Sequence, residues 1–263
     1  MPELALHLVD EGPKDALPVL LLHAFPLSSA MWDEQRRALA GKARVLAFDV
    51  RGLGKSPRAA MPLMLEHVVD DALAVLDHAG VRAALVVGLS MGGYVALRAA
   101  ERAPERIAGL LLCDTQAAAD SDEAKLKRAA GVRTLEAKGV AAYAEGFVAG
   151  ALSAKTRASR PEVVARLHQL IAESSKEGIA AALVALATRT DTRRSLGAVR
   201  AKTHVVVGEH DALTTPEVAR DLAAAIPGAG LSVLAGAGHL SNLEAPEAFN
   251  EALLGHLARV REG

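Results

Sequence analysis

Short apolar runs bounded by turn residues alternate along this chain with longer segments in which apolar residues recur at helical spacing. The runs predicted as strands are Val19–His23, Arg44–Phe48, Ala84–Val87, Ile107–Cys113, His204–Val207 and Leu231–Leu234. Val19–Leu22 and Leu110–Leu112 show no polar alternation, which predicts burial on both faces, as in a parallel sheet. Pro18 can only lead into the first strand, because it has no amide to give the ladder. Leu4–Val9 alternates less clearly and is predicted as an edge strand. Ala30–Ala40, Leu63–Ala79, Met91–Ala103, Pro216–Ile226 and Pro246–Val260 are predicted as helices. The whole is the pattern of a mostly parallel sheet flanked by crossover helices, an α/β fold.

The rhythm breaks once. From Ala117 to Gly197 the chain is Ala-rich and helical in pattern, punctuated by Gly131, Gly139, Gly150 and Gly178, with no convincing strand. It is predicted to be an insertion of roughly three to five helices. Apolar spacing in Glu162–Ile171 and Ile179–Leu186 marks packed helices rather than low complexity. The chain thus divides into a core, residues 1–116 and 198–263, and a helical insertion, residues 117–197. A length of 263 residues fits one such domain.

Composition narrows the partners. With 51% hydrophobic and 23% charged residues the chain can fold, and a net charge of -1 gives no global source for counterion-driven nucleic-acid binding. No run approaches the roughly 20 apolar residues of a membrane span, and Met1–Gly12 lacks a basic flank and apolar core, so a cytoplasmic location is expected. The single cysteine, Cys113, cannot form an internal disulfide and is expected as a buried small hydrophobe. Neither nucleic acid nor membrane is expected as a partner; the oligomeric state is left open.

The chemistry is concentrated at strand ends. Gly88-Leu89-Ser90-Met91-Gly92 follows an apolar strand and opens a helix, a sharp turn that projects the serine oxygen from the sheet edge. A β-carbon at position 88 or 92 would crowd that turn. A serine hydroxyl needs a base, and the base needs a partner that fixes its tautomer. Asp211, after His204–Val207, and His239, after Leu231–Leu234, reach the same edge, in the order Ser…Asp…His expected for this kind of sheet. Ser90 is therefore the expected nucleophile, His239 the base and Asp211 the orienting acid. Asp114, which also ends a strand, is the alternative acid, and His210 a weaker alternative base. The backbone amides of Phe25 and Met91 are the expected donors to an oxyanion, the second at a helix N-terminus. His210, Asp211 and His239 lack regular metal-ligand spacing, so no metal is expected, and the mechanism calls for no cofactor.

The elbow around Ser90, His23-Ala24-Phe25-Pro26, Asp49–Ser56 and Gly236-Ala237-Gly238-His239 together resemble the α/β-hydrolase superfamily over essentially the whole chain. The resemblance implies the α/β-hydrolase fold, a cap or lid formed by the insertion, a supporting loop of His23, Ala24 and Pro26 around Phe25, and a structural turn at Asp49–Ser56. Ala24 stands where this subgroup usually has glycine. Met31-Trp32-Asp33, Leu89–Gly93 and His239–Glu244 resemble small bacterial carboxylesterases and the 3-oxoadipate enol-lactonase group, although the Asn-Ser-type oxyanion loop of the lactonases is replaced here by His23–Pro26. Ser90 argues against the dehalogenases and most epoxide hydrolases of the fold, which carry an aspartate nucleophile. The expected function is hydrolysis of a small-molecule carboxylic ester through an acyl-enzyme. The alternatives are an enol-lactone hydrolase, with Arg133, Arg157 or Arg189 meeting a substrate carboxylate, and a non-catalytic ligand-binding protein. Tyr143, Phe147 and the many alanines and leucines of the insertion imply an apolar pocket.

Overall fold

A computed structural model describes residues 5–58 and 62–262. The strands are β1 (Leu8–Glu11), β2 (Pro18–Leu22), β3 (Arg44–Phe48), β4 (Ala84–Leu89), β5 (Ile107–Cys113), β6 (Lys202–Gly208) and β7 (Gly230–Leu234). They form one sheet in the order β1-β3-β2-β4-β5-β6-β7. Every neighbouring pair is parallel except β1 with β3. The runs without polar alternation form its middle: Val19, Leu21, Leu110, Leu111 and Leu112 are all fully buried. That burial on both faces needs helices on both sides, which α1 (Asp33–Leu39), α2 (Leu65–His78), α3 (Met91–Arg102), α8 (Pro216–Ala225) and α10 (Pro246–Arg261) supply.

The edge strand lies further along than the predicted Leu4–Val9. Pairing of Leu8 with Phe48 through Glu11 with Val45 sets its limits, and Gly12, at φ 89°, turns the chain away. Leu4 lies outside the described residues. The cross-strand bond from Arg44 to Asp10 favours this register, since it gives a nearly buried guanidinium its partner on the neighbouring strand.

Between β5 and β6 the described chain is helical: α4 (Asp122–Ala151), α5 (Ala154–Ser159), α6 (Pro161–Ala172) and α7 (Lys176–Ala187). Gly139, at φ 78°, breaks α4 into two arms, a backbone state that a side chain would disfavour. Ser121, Ser153 and Ser175 each cap the helix that follows by accepting a backbone N–H. Among the described residues no helix is long and apolar enough to cross a membrane.

After β2 the chain winds outward to β3, and after β4 it winds the other way, so the order reverses between β2 and β4. A crevice opens at the carboxyl ends of the strands at such a reversal. Residues 23–25 and residue 90 emerge on its two sides.

Candidate active site

Ser90 sits between β4 and α3 at φ 53° and ψ -110°, a conformation outside the regions favoured by side-chain-bearing residues. The turn is held by contacts that only glycine permits. A Cβ on Gly88 would lie 2.3 Å from the Gly92 carbonyl oxygen, and one on Gly92 would lie 2.0 Å from that of Leu22. The Ser90 amide donates to the Cys113 carbonyl, and Thr115 Oγ1 donates to the Ser90 carbonyl, so the strained residue is pinned on both sides.

Ser90 Oγ lies 2.9 Å from His239 Nε2, and His239 Nδ1 lies 2.9 Å from Asp211 Oδ2. The carboxylate accepts three further bonds: the Leu213 and Thr214 amides on Oδ1, and Thr214 Oγ1 at 2.6 Å on Oδ2. Thr214 was not marked by the sequence reading. The Asp-x-x-Thr spacing ahead of a helix beginning with proline was its available signal, since such turns return N–H groups to the aspartate.

Asp114 lies close by but makes different bonds. Its carboxyl accepts the Gly208 amide and the Ser241 hydroxyl and amide. The imidazole bond goes to Asp211. His210 is exposed and faces Glu209 rather than Ser90.

Electrostatics separates the two acids. Burial opposes ionisation of Asp211, but the His239 charge and the bonds from His239 and Thr214 together hold its pKa below the ordinary carboxylate value. Burial and the neighbouring Asp211 charge push Asp114 upward. For His239, burial favours the neutral ring, and it is outweighed by Asp211, with Asp114 and Glu244 behind, so its pKa is raised.

On the opposite side of the crevice, His23 Nδ1–H donates to the Ala24 carbonyl, and Nε2 accepts the Val50 amide at 2.9 Å. These bonds require the neutral ring, and burial lowers the His23 pKa accordingly. The loop carrying Phe25 is thereby tied to the start of the Asp49–Ser56 turn. That turn closes on Asp49, which accepts the Ser29 and Lys55 amides. Met91 opens α3 directly after Ser90, and Phe25, in the loop after β2, lines the same cavity as Ser90.

A cavity of about 530 Å³ opens on Ser90 and His239. The first arm of α4 contributes Ala124, Lys127, Arg128, Gly131 and Thr134 and the second contributes Ala142, Tyr143, Gly146, Phe147 and Gly150, in each case one helical face. Phe25 packs edge-on against Tyr143 and Phe147, with ring centroids 6.3 and 6.1 Å away. Burial raises the Tyr143 hydroxyl to about 12, so it stays a neutral hydrogen-bonding group.

The cationic residues at this cavity are Lys127 and Arg128, not the expected Arg133, Arg157 or Arg189. Arg133 lies two positions from Gly131, on the other side of the helix. Arg189 is buried behind the wall: it pairs with Asp120, donates to the Ala118 carbonyl and lies 4.2 Å above the Tyr94 ring centroid.

A serine projecting at the reversal of a mostly parallel sheet flanked by helices defines a fold class, and the chain belongs to it. It is a member of the alpha/beta hydrolase fold family, which it matches over residues 18–246. Within the family, it is 30% identical to 3-oxoadipate enol-lactonase 2 of Acinetobacter baylyi over 95% of this chain and 92% of that protein. A thermophilic esterase from Thermogutta terrifontis, solved with malate bound, superposes with a TM-score of 0.92 at 37% identity, covering 97% of this chain and 93% of that one. The enol-lactonase from Burkholderia xenovorans superposes with a TM-score of 0.89 at 31% identity, covering 96% of both chains.

Proposed function

We propose that this protein hydrolyses small carboxylic esters with Ser90 as nucleophile, His239 as general base and Asp211 as the acid that orients the imidazole. The observation that carries the reading is the continuous chain of 2.9 Å contacts from Ser90 Oγ through His239 to Asp211, opening on a cavity. As Ser90 Oγ bonds to the ester carbonyl carbon, its proton passes to His239 Nε2. The carbonyl π electrons become an oxyanion, which the Phe25 and Met91 amides receive. Collapse expels the alcohol, which takes the proton from His239. Water, deprotonated by the same ring, then releases the acid and restores Ser90. The reaction uses only side chains, amides and water, so no metal or cofactor is required. We assign α4 to α7 the role of a cap that supplies the cavity wall and limits the acyl or alcohol group it admits.

A second reading has its own support. Lys127 and Arg128 line the cavity beside Tyr143 and Thr134, paired with Glu123 and Asp120, and a substrate carboxylate would compete with those acids for the two cations. The kinship with enol-lactonases and with an esterase solved with malate, a dicarboxylate, favours the same chemistry. Lactone opening uses identical steps on a cyclic ester.

Hydrolysis of p-nitrophenyl esters from acetate to decanoate, alongside an enol-lactone and a monoester of a dicarboxylic acid, tests both readings in wild type and Ser90→Ala. Ester turnover that vanishes in the variant supports the serine mechanism, and preference for the anionic substrates supports the second reading. Turnover that survives Ser90→Ala rejects catalysis by this serine, and none on any substrate leaves a narrower natural substrate or the non-catalytic ligand-binding reading. Because a protonated imidazole cannot serve as base, kcat/KM should fall as pH drops through the raised His239 pKa.

A further inference from the structure

Glu244 closes α9 (Ser241–Glu244), five residues past His239, and has no part in the steps above. It is nevertheless buried, at 8% exposure, although a carboxylate is costly to bury without partners. Its Oε2 accepts the Ser153 amide at 2.9 Å, and its Oε1 accepts the Leu240 amide at 3.4 Å. One carboxylate thus bridges the residue after His239 to the junction between α4 and α5.

Two further contacts make this junction a single joint. The His239 amide donates to the Ala151 carbonyl at 2.8 Å, so the histidine's own backbone hangs on the last residue of α4. Gly238 is seated inside the joint: a Cβ there would lie 2.6 Å from the Ser153 nitrogen, 2.9 Å from Glu244 Oε1 and 3.0 Å from the Ala151 oxygen. The neighbouring Gly150 lines the cavity. The cavity wall and the imidazole are therefore connected by one short run of backbone.

We propose that Glu244 is a positioning residue for His239: its carboxylate clamps the 238–240 backbone to the end of α4, and its negative charge favours the imidazolium formed when Ser90 is deprotonated. The proposal rests on the reading of Ser90 and His239 as the reacting pair. The other charges facing this joint are Asp211 and Asp114 at the imidazole, Arg160 between α5 and α6, which donates to the Leu243 and Glu244 carbonyls, and Lys155 of α5 beside Gly236. Glu244 contributes to the raised His239 pKa in the same direction as the two aspartates.

The test compares Glu244→Gln, Glu244→Asp and Ser153→Ala, with the His239 ring followed by NMR titration and the rate by kcat/KM against pH. A glutamine accepts at one atom only and sets its NH2 against one of the two amides. In E244Q the NMR midpoint and the acid limb of the rate should fall together by at least about half a pH unit. Its kcat should drop roughly tenfold, with KM within about twofold. E244D keeps the charge and shortens the reach, so the midpoint should hold while kcat falls. S153A weakens the α5 cap but leaves both amide and charge, so the midpoint should not move.

A midpoint and acid limb unchanged in folded E244Q overturn the electrostatic role, and wild-type kcat in folded E244D overturns the clamp. If E244Q does not fold, E244D alone decides the clamp and its comparison with S153A decides whether the joint acts beyond its caps. Turnover that survives S90A would instead reject the serine mechanism, and the NMR midpoints would still test Glu244.

Discussion

Replacing Asp211 by asparagine isolates the tautomer of His239. Asp211 Oδ1 accepts two amides at 2.8 and 2.9 Å, so an asparagine keeps its oxygen there and turns its NH2 toward His239 Nδ1. The ring must then accept at Nδ1 and carry its proton on Nε2, facing Ser90 Oγ with a donor where a base is needed. The same NH2 meets the Thr214 hydroxyl, which can rotate to accept, so the fold loses little by comparison. The equivalent change in a serine protease triad lowers kcat by ~10⁴. A loss of about 10³–10⁴ in kcat, or roughly 4–5 kcal/mol, is expected here with the cavity intact. The assay is p-nitrophenyl acetate turnover, with circular dichroism for the fold. Asp114→Asn, which touches Gly208 and Ser241 rather than the imidazole, should cost far less rate. If D211N kept more than about a tenth of kcat while D114N lost it, the acid role would belong to Asp114 and the reasoning would be wrong.

Gly92→Ala drives a methyl to 2.0 Å from the Leu22 carbonyl oxygen, backbone that cannot give way, so urea unfolding should show a loss of about 3 kcal/mol and turnover should fall with it. Arg189→Met removes the more buried of the two cationic partners of Asp120 and leaves Arg128, at 3.1 Å, as the other. A loss of about 1–3 kcal/mol is expected in unfolding, part of it recovered in the double variant with Asp120→Asn. His204 and His256 stack 5.9 Å apart within the protein, and burial, with Arg259 beside them, lowers both pKa values, that of His256 to about 4. The unfolded chain then binds more protons than the native one between the ordinary histidine value and about pH 4, so stability falls as pH drops through that window. Tm measured from pH 7 to pH 4.5 should fall less steeply in His256→Leu; an equal slope would show that the pair is not responsible.

The uneven legibility of the site has physical reasons. The elbow was readable because its glycines answer a local steric demand, and local demands leave local spacing in the chain. The identity of the cavity's cations was not readable. Lys127 and Arg128 face the cavity because of the phase at which the first arm of α4 packs, which only the folded cap sets. Without the phase, Arg133 looks as suitable as Arg128. Glu244 is illegible in the sequence for a similar reason: its partners, Leu240 and Ser153, are four and ninety-one residues away, and no short pattern joins them.

The sequence by itself determined the parallel sheet, its helical flanks, the helical stretch between two strands and the strand ends at which Ser90, Asp211 and His239 occur, because burial on both faces and sharp turns restrict residue type directly. Tertiary structure decided the pairings: Asp211 rather than Asp114 at the imidazole, Arg189 behind the cavity wall rather than in it, and the seat of Gly238 against the end of α4. A carboxylate's partner depends on distances of a few tenths of an ångström across strands far apart in the chain. Only the packed sheet fixes those.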